Sequence, residues 1–261
     1  MVLDRFYSRY PLKRLRVLGI AILLLFSITL TSCSPAAQSA NGDADAELEA
    51  KVLQIIRDNP EVIIESVQAY QQQQQQALTS GQQEFLQGMK ANPQSVIADS
   101  PTTGAKNGEV VLLEFSDFQC PFCAKAQTNL KKFMDAHKGK VTLAFKHLPL
   151  SRIHPEAIAA AQAAWAAQQQ EKFWEYHDAL FAQQDRLGEE LYLAIAEDLD
   201  LDLEKFNGDR ESEAAIAALE SDIQMARTIG VSGTPFFVMN GETLSGAVEL
   251  SDLEQVLAKV S

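Results

Sequence analysis

The sequence predicts an α/β fold: a domain of strands and helices with a helical block inserted in its middle, preceded by a separate helical segment. Three observations lead there. Glu109 to Phe115 is a short apolar run of strand character, and Cys120-Pro121-Phe122-Cys123 opens a helix directly after it. An alanine-rich helical stretch then occupies the chain from Pro155 to about Gln184. Strand character returns only at Val231 to Asn240. With 46% apolar residues in 261, the chain can bury a substantial core.

The elements follow in order. Arg5, Arg9, Lys13, Arg14 and Arg16 precede an apolar run from Val17 to Leu30. Fourteen residues fall short of the ~20 that cross a bilayer as a helix, so residues 1–32 read as a signal peptide. The run ends in Leu30-Thr31-Ser32-Cys33, which resembles a bacterial lipobox and makes Cys33 a lipidation candidate. Residues 33–46 are small and polar, as in a tether. Residues 47–92 form the N-terminal helical segment, with Leu48, Val52, Ile55 and Ile56 at helical spacing. Asn59-Pro60 interrupts it, and Pro60 then opens a second helix carrying Ile63, Ile64, Val67 and Tyr70 before a run of six glutamines. Two such narrow stripes are not buried by their own helices. They dock on the main domain or pair with copies of themselves.

From residue 96 the expected order is strand, helix, strand, helical block, strand, strand, helix. The first helix ends near His137, Val141 to Phe145 is the second strand, and the inserted block covers about 154–228. Asn240-Gly241 signals a hairpin, and Ser251 is expected to cap a final helix from Asp252 to Val260.

Charge and cysteine count narrow the function. The net charge is −13, and residues 33–261 alone, with 17 basic and 34 acidic residues, carry about −17. Such a body argues against nucleic acid as a partner. If Cys33 is lipidated, the three cysteines leave one C-x-x-C pair and no stray thiol. Cys120 at a helix N-terminus faces unsatisfied backbone N–H groups and the positive dipole end, which stabilise a thiolate. Pro121 suits the first turn, where its missing N–H costs nothing. Cys120 is therefore expected as the exposed attacking sulfur and Cys123 as the buried resolving thiol. A half zinc site would need two further ligands, yet there is no second C-x-x-C and the four histidines are scattered. A structural disulfide would close a longer loop. Redox exchange fits best, with no metal or organic cofactor.

The stretches Glu114-Phe115-Ser116-Asp117-Phe118-Gln119-Cys120-Pro121-Phe122-Cys123 and Val231-Ser232-Gly233-Thr234-Pro235-Phe236-Phe237 closely resemble DsbA-like thiol-disulfide oxidoreductases, the BdbD and Com1 types among them. The resemblance runs from about residue 96 to the C-terminus and implies a thioredoxin fold with inserted helices. It implies a cis Pro235 facing the cysteine pair, with Thr234 offering backbone hydrogen bonds to substrate. It also implies that Glu114, six residues before Cys120, is a buried acid near Cys123 that moves a proton. Phe122 stands where enteric DsbA has a histidine; its ring is expected to extend an apolar docking surface with Phe118. His147, His154 and His177 are expected to pack rather than react, and Trp165 and Trp174 to lie in the core. Asn59 to Glu65 resembles the N-terminal oligomerisation segment of ScsC-type proteins, implying a homo-oligomer through residues 47–92.

The implied activity is disulfide exchange outside the cytoplasm, in the periplasm or at the cell surface. Its partners would be exported proteins with cysteine pairs and a membrane protein that resets the redox state. Oxidation of substrate is the leading direction; isomerase or reductase activity is the alternative. A lipoprotein chaperone or adaptor that binds unfolded chains is the reading of another class.

Overall fold

The computed structural model describes residues 39–261. The signal peptide, Cys33 and the first residues of the expected tether lie outside the described residues. Helix α1 spans Ser39–Asp58, so the helix already runs through the latter part of the stretch expected as a tether. Helix α2, Pro60–Ala91, continues unbroken through the glutamine run, consistent with glutamine's good helix propensity. The described chain divides into two compact units, residues 39–67 and 68–261.

In the first unit, Leu48, Val52, Ile55 and Ile56 of α1 and Val62, Ile63, Ile64 and Val67 of α2 are exposed. The helices form, but their apolar stripes stay open.

The second unit is built on a five-stranded sheet in the order β1-β3-β2-β4-β5. Strands β2 (Val110–Ser116) and β3 (Val141–His147) are parallel at its centre, joined by helix α3 (Pro121–Ala136). Strand β4 (Phe236–Met239) pairs antiparallel with β2, β5 (Glu242–Ser245) with β4, and β1 (Thr102–Gly104) with β3. Strand β2 is buried on both faces, which is why it reads as a continuous apolar run. Its residues alternate between two cores. Val110 and Leu112 pack with Ala126, Leu130 and Phe133 of α3 and with α9 (Leu250–Val260). Val111, Leu113 and Phe115 pack on the opposite face with Met89 of α2 and Ile229. Met89 is fully buried, and the Gln82 amide donates to the Ile229 carbonyl at 2.9 Å. The C-terminal part of α2 is thereby part of this core.

The inserted block comprises α4 (Ala157–Gln168), α5 (Phe173–Ala182), α6 (Glu189–Asp198), α7 (Leu203–Arg210) and α8 (Glu213–Thr228). The alanine-rich stretch is two helices rather than one, broken where Glu171 takes φ +60°. Buried alanines of α4 let its backbone approach α7 closely, in a core with Tyr176, Ile195 and Phe206. Trp165 and Trp174 are half-buried at the edges of this layer rather than central to it.

Two expected boundaries are corrected, and one strand is new. β4 starts at Phe236, not Val231, because Val231 N–H caps α8 on the Ala226 carbonyl and Pro235 has no N–H for a ladder. Helix α9 starts at Leu250 with Glu249 as its cap, not Ser251. Glu249 and Asp252 satisfy each other's backbone N–H in a reciprocal capping box, which a serine at Ser251 has no part in. Strand β1, three exposed residues long, had no apolar signature to betray it.

Candidate active site

Cys120 is the N-cap of α3, with extended backbone (φ −76°, ψ 121°), and Pro121 is the first helical residue. The preceding loop is held by Asp117. This buried carboxylate accepts from Gln119 N–H at 2.8 Å, from Leu150 N–H at 2.8 Å and bonds His154 Nδ1 at 2.7 Å. From the inserted block, the Gln184 amide donates to the Phe118 carbonyl at 2.7 Å and the Cys120 carbonyl at 2.9 Å. The cysteine loop is thus fixed from two sides before any substrate arrives.

The Thr234–Pro235 peptide bond is cis. The Thr234 carbonyl lies 3.4 Å from the Cys120 sulfur, across 114 residues of sequence. Cys120 and Cys123 are both free thiols. Cys123 is fully buried, as its place one turn into α3 demands. Cys120 is not the exposed sulfur the sequence suggested: only 3% of the residue is accessible, since the Thr234 loop covers it. Phe122 beside it is 60% exposed. The expected pairing of Phe122 with Phe118 as a docking surface is also corrected. Phe118 is buried, stacked on Phe145 at 5.3 Å and packed against His177 and Phe181.

The two thiols are electrostatically unlike. The Cys123 thiol, donating toward the Cys120 sulfur, pulls the Cys120 pKa down to about 5. Burial opposes this, and the Thr234 side chain and the backbone N–H groups of Cys123 and Phe122 reinforce it. The contact of the Cys120 thiol with the Thr234 carbonyl favours the protonated form, but the donors on the other side outweigh it. Burial, and then the neighbouring Cys120 thiolate, push Cys123 far above the usual thiol range. One sulfur is poised as a thiolate while the other holds its proton.

Glu114 lies fully buried on β2, and burial raises its pKa to about 7 against the opposing influence of Ser116 and Gln127. The Gln127 amide donates to Glu114 Oε1 at 2.9 Å, whereas Oε2 has no partner. Gln127 and Ser116 were not singled out in the sequence. The signal was there: Gln127 is one helical turn beyond Cys123, and Ser116 is two strand residues beyond Glu114. His147 and His177 pack in the aromatic cluster, with burial lowering both pKa values, that of His147 to about 3. Among the described residues no group of three or more His, Cys, Asp or Glu is placed to hold a metal ion.

A protein-family model described as thioredoxin matches residues 97–259. Over 150 residues the chain is 37% identical to a Na(+)/H(+) antiporter NhaA 3 of Salinispora tropica, covering 58% of this chain and 23% of that protein. The chain spans about a quarter of the length of the curated relatives it matches. A thioredoxin-like oxidoreductase from Silicibacter pomeroyi DSS-3 is similar in structure, with a TM-score of 0.58 and 31% identity over 62% of this chain and 92% of that one. The thiol-disulfide exchange protein alpha-DsbA2 from Wolbachia pipientis shares the fold at a TM-score of 0.60 and 22% identity, over 68% and 97% of the two chains. Proteus mirabilis ScsC shares it at 0.59 and 23%, over 83% and 94%. With a helix-opening Cys-Pro-Phe-Cys, a cis proline against the first sulfur and a family match over most of the second unit, the chain belongs to the thioredoxin family.

Proposed function

We propose that the chain is an extracytoplasmic thiol-disulfide oxidoreductase that oxidises cysteine pairs in exported proteins through a Cys120–Cys123 disulfide. The observation that carries the reading is the asymmetry of the two sulfurs: Cys120, its pKa pulled down to about 5, is a thiolate at neutral pH, while burial keeps Cys123 protonated. A stabilised Cys120 thiolate favours the reduced pair, so the disulfide is readily given away. A substrate thiolate attacks Cys120 Sγ, the Cys120–Cys123 bond breaks, and its electron pair stays on Cys123. A second substrate thiolate then attacks the substrate sulfur of the mixed disulfide and leaves Cys120 as thiolate. The substrate is oxidised by two electrons and the pair reduced by two.

By the resemblance to DsbA-like proteins, Thr234, whose carbonyl lies 3.4 Å from Cys120 Sγ, would offer backbone hydrogen bonds to a docking substrate strand, and the exposed Phe122 an apolar contact. A membrane partner would then reoxidise the pair. The placement outside the cytoplasm rests on the basic and apolar leader with Cys33 at its end, and on similarity to neighbours that include a periplasmic thioredoxin-like protein. Ion antiport, the activity in the curated relatives' names, is not proposed, because the match spans only a quarter of those proteins.

A second reading, isomerase or reductase activity in a self-associated form, draws on the open stripes of α1 and α2, where Leu48 and Ile55 are each 61% exposed. The direct test is turnover of a reduced, unfolded protein with cysteine pairs. Oxidation by wild type, and none by Cys120→Ser, supports the proposal. Holdase activity that survives Cys120→Ser, without any turnover by wild type, would point to a chaperone.

A further inference from the structure

Besides Thr234 Oγ1 on the cis-proline loop, two buried oxygens of β2 near Cys123 have no partner, Glu114 Oε2 and Ser116 Oγ. Both belong to the face of β2 that carries Val110 and Leu112 against α3, since side chains two residues apart share a face. On α3, Cys123 and Gln127 are four residues apart and also share a face, and Gln127 is the residue that clamps Glu114 Oε1. The strand face and the helix face are therefore in register: Glu114 opposite Gln127, and Ser116 toward Cys123. The Ser116 hydroxyl lies near enough to both neighbours to favour the anionic form of each. It completes a hydrogen bond to neither in this geometry.

An unpartnered buried hydroxyl costs free energy and needs a reason. A serine hydroxyl accepts one proton while donating another and rotates freely between two partners. Cys123, fully buried, has no direct route to solvent for the proton it must lose and regain.

Resting on the exchange function proposed above, we propose that Ser116 relays the proton between Cys123 and Glu114. When Cys123 resolves a mixed disulfide on Cys120, Cys123 Sγ–H passes its proton to Ser116 Oγ as Ser116 passes its own to Glu114 Oε2. Cys123 Sγ attacks Cys120 Sγ, the Cys120–Cys123 bond forms, and the bond from Cys120 to the substrate sulfur breaks. The electron pair leaves on that sulfur, so the substrate is reduced as the cysteine pair is oxidised. Oxidation of substrate runs the same path in reverse, with Glu114 returning the proton.

The test is single-turnover release of 5-thio-2-nitrobenzoate from its mixed disulfide with Cys120, followed against pH. In wild type the rate should rise through an inflection near pH 7 as Glu114 becomes a proton acceptor. Ser116→Ala should slow release about ten-fold or more at pH 7 and abolish the inflection, while the ultraviolet titration of the Cys120 thiolate stays in place. Ser116→Ala removes an unpartnered polar atom, so it should fold, and Ser116→Thr, which keeps a hydroxyl, should restore rate and inflection. An active wild type whose Ser116→Ala variant keeps both rate and inflection would overturn the relay alone. A wild type that releases no nitrobenzoate thiolate at all would overturn the exchange reading and the relay together.

Discussion

At the scale of single residues, the site works by separating the acidities of groups that the bare sequence leaves equal. Cys120 should titrate near pH 5, read as thiolate absorbance in the ultraviolet, whereas Cys120→Ser should show no transition there. Glu114 links the site to stability. Its folded pKa of about 7 stands above its ordinary 4.5, so the folded state holds a proton that the unfolded chain releases. The stabilisation is complete below about pH 4.5 and is lost as pH rises through 7, a loss of about 3 kcal/mol. Denaturant unfolding of wild type should weaken across that window. Glu114→Gln should flatten that part of the profile and be more stable than wild type at pH 8; an unchanged slope would mean that Glu114 is not the group responsible. The cysteine pair was legible because its chemistry sits within four consecutive residues. The burial of Cys120 was not, because it is imposed by Thr234, 114 residues away.

Among the elements, most of the fold could be read where one local pattern decides the outcome. β2 is apolar throughout because both its faces are covered, and α3 opens where the proline sits. Elements fixed by distant partners were harder. β1 exists because Thr102 to Gly104 finds the free edge of β3, and the start of β4 moves because Val231 is taken by α8. The hairpin shows both effects. Asn240 (φ +44°) and Gly241 (φ +87°) make the turn the sequence signals. Yet Gly241 also meets α2: a Cβ there would stand 2.6 Å from the Leu86 carbonyl. The neighbouring Lys90–Glu242 ion pair, at 3.1 Å, is exposed and adds little. Gly241→Ala should therefore cost more than about 1 kcal/mol in denaturant unfolding, whereas Glu242→Gln should stay within ~0.5 kcal/mol. Equal effects would mean that the turn tolerates a side chain against α2.

On the scale of the molecule, the second unit carries the redox site and closes its own core, while α1 and the start of α2 display an open apolar surface. We expect self-association through that surface. Wild type should sediment as an oligomer, and Ile55→Asp with Ile63→Asp should sediment as a monomer with an unchanged thiol titration. A wild-type chain that is monomeric at working concentration would sink this expectation and leave the redox site untouched. The central claim is the direction of electron flow, and the equilibrium of Cys120 and Cys123 with a glutathione buffer, read by thiol alkylation, tests it most directly. The expected result is a potential well above the glutathione poise, as for a pair whose reduced form is stabilised by a Cys120 thiolate. A strongly reducing value would contradict the account and make the chain a reductase or isomerase kept reduced by a membrane donor.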